Sequence, residues 1–202
     1  MATNMIIKGW KDVTLGIWEK MEEITKRENE IERVVGFVAL FNDMTEDEVL
    51  NLPLDEFKKY VNDLGWMNTP PDIEQPKETY KINGKEYDLV TNFHKLTTQQ
   101  YIDFQTFSKD NNYREMLSVF LIPRGHKYSD NYDILEVQKE LADMPVQEVL
   151  GLMGFFIVLY RSWSRALLMY SSRILRKEGK KNPEIMERAK EMENLADMFG
   201  FR

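Results

Sequence analysis

Between Glu148 and Arg161 the chain carries an unbroken apolar run, VLGLMGFFIVLY. A helix needs roughly 20 apolar residues to cross a bilayer, so a run closed by charge at both ends falls short of a span and must be covered by protein. Pro145 suits a first helical turn and Gly179 a helix stop. With no proline between them, the segment predicts one long helix from Val146 to about Lys177. Phe155, Phe156, Tyr160, Trp163 and Tyr170 go almost all round that helix. A helix apolar on every side is either central to a core or covered by another chain. Gly151 and Gly154, inside the run, read as points of close helix packing.

The residue types available limit the chemistry. Cys is 0 and His is 2 in 202 residues, which removes thiolate metal sites, cysteine nucleophiles and most zinc or Ser-His-Asp arrangements. His94 and His126 lie in separate loops without ligand spacing. No GxxxxGK[ST] or GxGxxG phosphate loop occurs, and the acids at Glu46–Glu48 lack the spacing of a calcium loop. Asp103, Asp110 and Asp133 are the remaining candidates for paired catalytic carboxylates, and ordinary surface acids explain them. The chain therefore reads as cofactor-free, without a metal site and not an enzyme. A net charge of −7 argues against nucleic acid or anionic lipid as a partner. Met1–Trp10 has no long apolar core, which argues against a secretory signal.

The rest of the chain punctuates itself into helices. Amphipathic spacing covers Lys11–Glu28, with Val13, Ile17, Met21 and Ile24 on a stripe and Thr14 as N-cap, so that the helix starts at Leu15. Glu30–Phe41 places Ile31, Val34, Val35, Val38 and Phe41 on another stripe. Thr45 and Glu48 form a capping box, and Leu54–Leu64 closes a helical subdomain over residues 1–68. A proline-rich linker follows. ETYKINGKEYDLV then predicts a hairpin at about residues 78–90, because Asn83-Gly84 suits a type I′ turn. That register faces Tyr80 to Tyr87 and Ile82 to Lys85, so Tyr80, Ile82, Tyr87 and Leu89 share the face to be buried. Helices are expected from Leu96–Gln100 onward, over Asn112–Leu121, over Ile134–Ala142, and from Pro183 with Ile185, Met186, Ala189, Met192, Leu195, Ala196 and Phe199 apolar. The fold class is mainly α (α+β), a multi-helix bundle with one small antiparallel hairpin. Residues 77–202 are expected to make one folded unit with the first subdomain.

Charge is polarised along the chain. Glu19–Asp63 holds 13 acids against 6 bases, and Arg161–Lys181 holds 7 bases against one acid. Such a chain can associate head to tail or present one end to a partner. The aromatic and basic residues of the long helix, Phe155, Phe156, Tyr160, Trp163, Tyr170, Arg161, Arg165 and Arg173, are the candidate partner-binding residues. Met is 12, and Met-rich helical surfaces repack around varied apolar partners. A protein partner and a homo-oligomer are the expected associations.

Several words of the sequence occur in a telling order: Trp10 with Val13-Thr14-Leu15, then Leu52-Pro53-Leu54-Asp55-Glu56, then Lys81-Ile82-Asn83-Gly84-Lys85. Leu96-Thr97-Thr98-Gln99-Gln100-Tyr101-Ile102-Asp103-Phe104, Val119-Phe120-Leu121-Ile122-Pro123 and Gly154-Phe155-Phe156 follow. In that order the chain resembles the tail assembly chaperones and related virion morphogenesis proteins of tailed bacteriophages. The resemblance implies a non-enzymatic protein of the host cytoplasm that keeps the long helical tape-measure protein soluble until tube subunits polymerise around it. A connector or tail subunit retained in the virion is the alternative. A small hydrolase or nucleic-acid-processing enzyme, resting on Asp103, Asp133 and the basic helix, is a third.

Overall fold

A computed structural model describes residues 6–91, 96–108, 112–128, 130, 132–178 and 182–198, the side chains at 159, 162, 163, 166 and 178 excepted. The architecture is mainly α with a small antiparallel sheet. Local capping sets most helix starts. Asn29 accepts from the N–H groups of Ile31 and Glu32 at the head of α2 (Glu30–Phe41). Thr45 and Glu48 make the expected reciprocal box at α3 (Glu46–Leu50), and Thr97 and Gln100 repeat it at α5 (Thr98–Phe107). Asn112 caps α6 (Tyr113–Phe120) and Asp133 caps α7 (Ile134–Leu141) in the same way.

The chain divides into two compact units, Met1–Gly151 and Leu152–Arg202. In the first, α1 (Leu15–Thr25) starts where expected, but Thr14 makes no side-chain cap. The first N–H groups of α1 are satisfied from far along the chain: Leu15 N donates to the Met144 carbonyl and Gly16 N to the Ala142 carbonyl, both at 2.8 Å. Val146 N donates back to Val13 O at 2.9 Å. This short antiparallel bridge between Thr14 and Pro145 does the work of a cap.

Two apolar clusters hold α1–α4. Ile7, Val13, Met21, Phe41 and Val146 form one, and Val35, Val38, Ala39 and Val49 the other. Phe57, Tyr60 and Val61 of α4 (Leu54–Asp63) pack on the second from the side. The expected stripes need correction at two places. Ile31 is 69% exposed and Leu54 is also exposed, because each sits in the first turn of its helix and the buried face of α2 is instead completed by Gly36 and Ala39.

The hairpin has the register read from Asn83-Gly84. β1 (Thr79–Ile82) and β2 (Lys85–Leu89) pair Tyr80 with Tyr87 and Ile82 with Lys85, and both turn residues have positive φ. Tyr80, Ile82, Tyr87 and Leu89 are buried. One expectation fails here. The helix read as Asn112–Leu121 ends at Phe120, and β3 (Leu121–Pro123) adds to β2, pairing Leu121 with Leu89, so the sheet has three strands rather than two. A lone hairpin is marginal; β3 completes β2's hydrogen bonding. On the wet face Arg124 spans the sheet, donating to Asp88 at 3.0 Å, to Thr79 at 2.7 Å and to Glu86.

α8 runs unbroken from Val146 to Glu178, as the helix signals predict. Among the described residues no helix is long and apolar enough to cross a membrane. In the second unit its later turns meet α9 (Pro183–Met198) antiparallel. Ser164 and Ser172 on α8 and Ala189 and Ala196 on α9 are buried. Glu193 ties the pair, accepting from Arg176 at 2.5 Å and from Ser172 at 3.3 Å. Phe199, expected on the α9 stripe, lies outside the described residues.

Candidate functional site

The partner-binding candidates lie on α8, and the structure sorts them by face. Phe156 is 2% exposed while Phe155 and Tyr160 are half-buried, with the two Phe ring centres 5.7 Å apart. The Trp163 side chain lies outside the described residues. Tyr170 is 63% exposed, and Leu167 and Ile174 are exposed beside it. At 3.6 residues per turn, positions 167, 170 and 174 fall at i, i+3 and i+7 and make one stripe. Ser172 and Arg176, which bond α9, lie on the opposite side. The stripe is thus the face of α8 turned away from α9. Arg161, Arg165 and Arg173 are exposed. Arg165 approaches Asp197 of α9 at 3.8 Å. Of the candidates whose side chains are described, Tyr170 alone lies on the open stripe; Leu167 and Ile174 join it.

The carboxylates weighed for catalysis have structural work. Asp133 caps α7, and Asp103 accepts from the Tyr128 hydroxyl at 2.7 Å and from Gln99 at 2.8 Å. Asp110 and His94 lie outside the described residues. His126 is exposed, with its ring 5.8 Å from that of Tyr132 and Nδ1 3.8 Å from Asp130. Among the described residues no group of His, Asp and Glu is arranged to hold a metal ion.

A polar cluster not foreseen from sequence joins β2 to α7. The Tyr87 hydroxyl donates to Glu140, and Lys85 reaches Glu140 at 2.5 Å and Glu136 at 2.9 Å. Burial and then the Glu140 carboxylate push the Tyr87 phenol up in pKa. Burial opposes ionisation of Glu140, yet the Lys85 and Tyr87 hydrogen bonds outweigh it and hold the carboxyl below the usual range. Nearby, the buried Tyr132 hydroxyl has no partner among the described residues, and burial pushes its pKa up to about 12.

A cleft of about 620 Å³ lies elsewhere in the first unit. Trp10, Trp18, Met21, Phe37, Met67 and Tyr113 line it, with Glu22, Thr25 and Lys26. The Trp10 and Trp18 ring centres are 6.0 Å apart at a 46° tilt, and Trp66 meets Trp10 edge-on at 4.9 Å. Trp10 donates its indole N–H to the Thr69 carbonyl at 2.6 Å and Trp18 donates to Glu22 at 3.1 Å. Sequence spacing signals none of this, since positions 10, 18, 37 and 113 meet only through the tertiary fold. No protein-family model, curated protein or solved structure matches the chain.

Proposed function

We propose that the chain is a non-enzymatic bacteriophage morphogenesis protein, a tail assembly chaperone acting in the host cytoplasm. It binds the helical tape-measure protein before the tube polymerises. The observation that carries this reading is the stripe of Leu167, Tyr170 and Ile174, exposed on the side of α8 away from α9. A two-helix unit buries one face of each helix, and an open i, i+3, i+7 stripe suits the apolar face of a third helix laid alongside. Arg173 supplies exposed charge at the margin of the stripe, which suits a partner helix with an acidic flank, while Arg161 and Arg165 lie on the side of α8 that meets α9. The resemblance in the order of sequence words names the tape-measure protein as that helix.

The second reading is a connector or tail subunit that stays in the virion. The opposed charges of Glu19–Asp63 and Arg161–Lys181 favour it, because head-to-tail contacts between copies close rings. One experiment separates the two. Mature particles and infected-cell lysate are analysed by mass spectrometry, and co-expressed tape-measure protein is co-purified with the wild type and with a Leu167→Ser, Tyr170→Ser double variant. A chaperone is abundant in lysate, missing from particles, and loses the tape-measure protein on substitution. Stoichiometric copies in the particle establish the structural subunit instead.

A further inference from the structure

The cleft of the first unit has the composition of a cation site. Its walls are the aromatic side chains of Trp10, Trp18, Phe37 and Tyr113, and the Glu22 carboxylate lies among them. Aromatic faces attract a cation through the ring quadrupole, Trp most strongly. The rings are held in place before any ligand arrives: both indole N–H groups are hydrogen bonded, and Trp10, Trp18 and Phe37 rest against the Ile7, Val13, Met21, Phe41 and Val146 cluster. Glu22 accepts from Trp18, and burial followed by the Glu22 charge raises the Tyr113 phenol in pKa, so the carboxylate is felt inside the cleft. Neighbouring Glu19 is taken up by Arg114, whose Nε lies at 2.8 Å. Arg27 and Arg114 are engaged by other carboxylates, Glu46 and Glu19.

We infer that this cleft receives an arginine side chain of a partner polypeptide, with the guanidinium against the Trp10 and Trp18 rings and paired with Glu22. Arginine fits better than lysine because its planar, weakly hydrated head stacks on aromatic faces and bonds a carboxylate in a fork. The surrounding segment, Glu19–Asp63, is net acidic, which draws a basic segment in. Lys26 lines the same cleft, four residues after Glu22. Its charge opposes a second cation there, so its removal favours the arginine.

The test titrates capped arginine (N-acetyl-arginine amide) into the full chain and follows the indole N–H signals by NMR. Capped citrulline, which has the same shape without the charge, and capped lysine serve as comparisons. The expected result is a saturable shift of the Trp10 and Trp18 signals with arginine, several-fold weaker binding of lysine, and none of citrulline. Glu22→Gln weakens binding roughly fivefold, and Lys26→Ala tightens it about twofold. No saturable shift, an equal response to citrulline, or indifference to Glu22→Gln overturns the inference. The citrulline comparison needs no variant, so it decides the matter even where a substitution disturbs folding.

Discussion

The carbonyl oxygen of Glu74 lies 1.9 Å from the point where a β-carbon on Gly151 would stand. The proline-rich segment crosses α8 at this glycine, where Glu74 N also donates to the Gln147 carbonyl at 3.3 Å and Lys77 bridges Glu74 and Glu148. Gly151→Ala therefore forces backbone apart and destabilises the chain by about 1–3 kcal/mol. Gly154, three residues on, has nothing within 4 Å of its β-carbon position, so Gly154→Ala gains about 0.5–1 kcal/mol from helix propensity. Urea unfolding of the two variants gives shifts of opposite sign.

Glu140 makes the chain sensitive to acid. Its folded-state pKa is below the ordinary 4.5, so its stabilising contribution is complete above that value and is lost as pH falls through the lower folded-state value. Thermal melts of the wild type fall steeply below pH 4.5. Glu140→Gln, which keeps the shape and removes the titration, flattens that part of the profile.

Gln100 is 3% exposed and uses both ends of its amide: the oxygen accepts from Thr97 N at 3.0 Å and the nitrogen donates to the Val119 carbonyl at 2.9 Å. Gln100→Glu places a carboxylate against that carbonyl. The variant is destabilised at pH 7 by about 2 kcal/mol and regains stability as pH drops, because the protonated acid donates again. A melting temperature that rises between pH 7 and 5 in the variant alone confirms the arrangement.

Asp133 contributes a cap rather than chemistry. Asp133→Ala costs about 1 kcal/mol, and Asp133→Asn, which still accepts from Leu135 N and Glu136 N, costs a few tenths. Equilibrium unfolding separates the two, whereas a catalytic carboxylate would be equally disabled by both.

What was legible in the sequence was local. Asn83-Gly84 dictates its turn and thereby the pairing of Tyr80 with Tyr87, and Thr45 with Glu48 marks a helix start within four residues. β3 was not legible, because a three-residue strand has no period and its partner, Leu89, is more than thirty positions away. Ile31 and Val35 share one periodic stripe, and only the packing of α2 shows that the first is exposed and the second buried. On α8 the same limitation applies: Phe156 and Tyr170 look alike in sequence, and one is buried while the other is exposed. The polar partners Glu140 and Gln100 are ordinary surface residue types, and burial gives them their role.

The bridge between Val13–Gly16 and Ala142–Val146 bears on synthesis at the ribosome. α1 is among the first helices translated, yet the carbonyls that complete its opening turn belong to residues 142 and 144. Until those residues have left the exit tunnel, the start of α1 has only water to bond. The apolar cluster around Val13 and Phe41 likewise lacks Val146. The first unit therefore closes late, by a long-range contact made after most of its chain has emerged, and such closures are slow relative to local helix formation. A pause in translation before residue 142 leaves a nascent chain with formed helices and an open core.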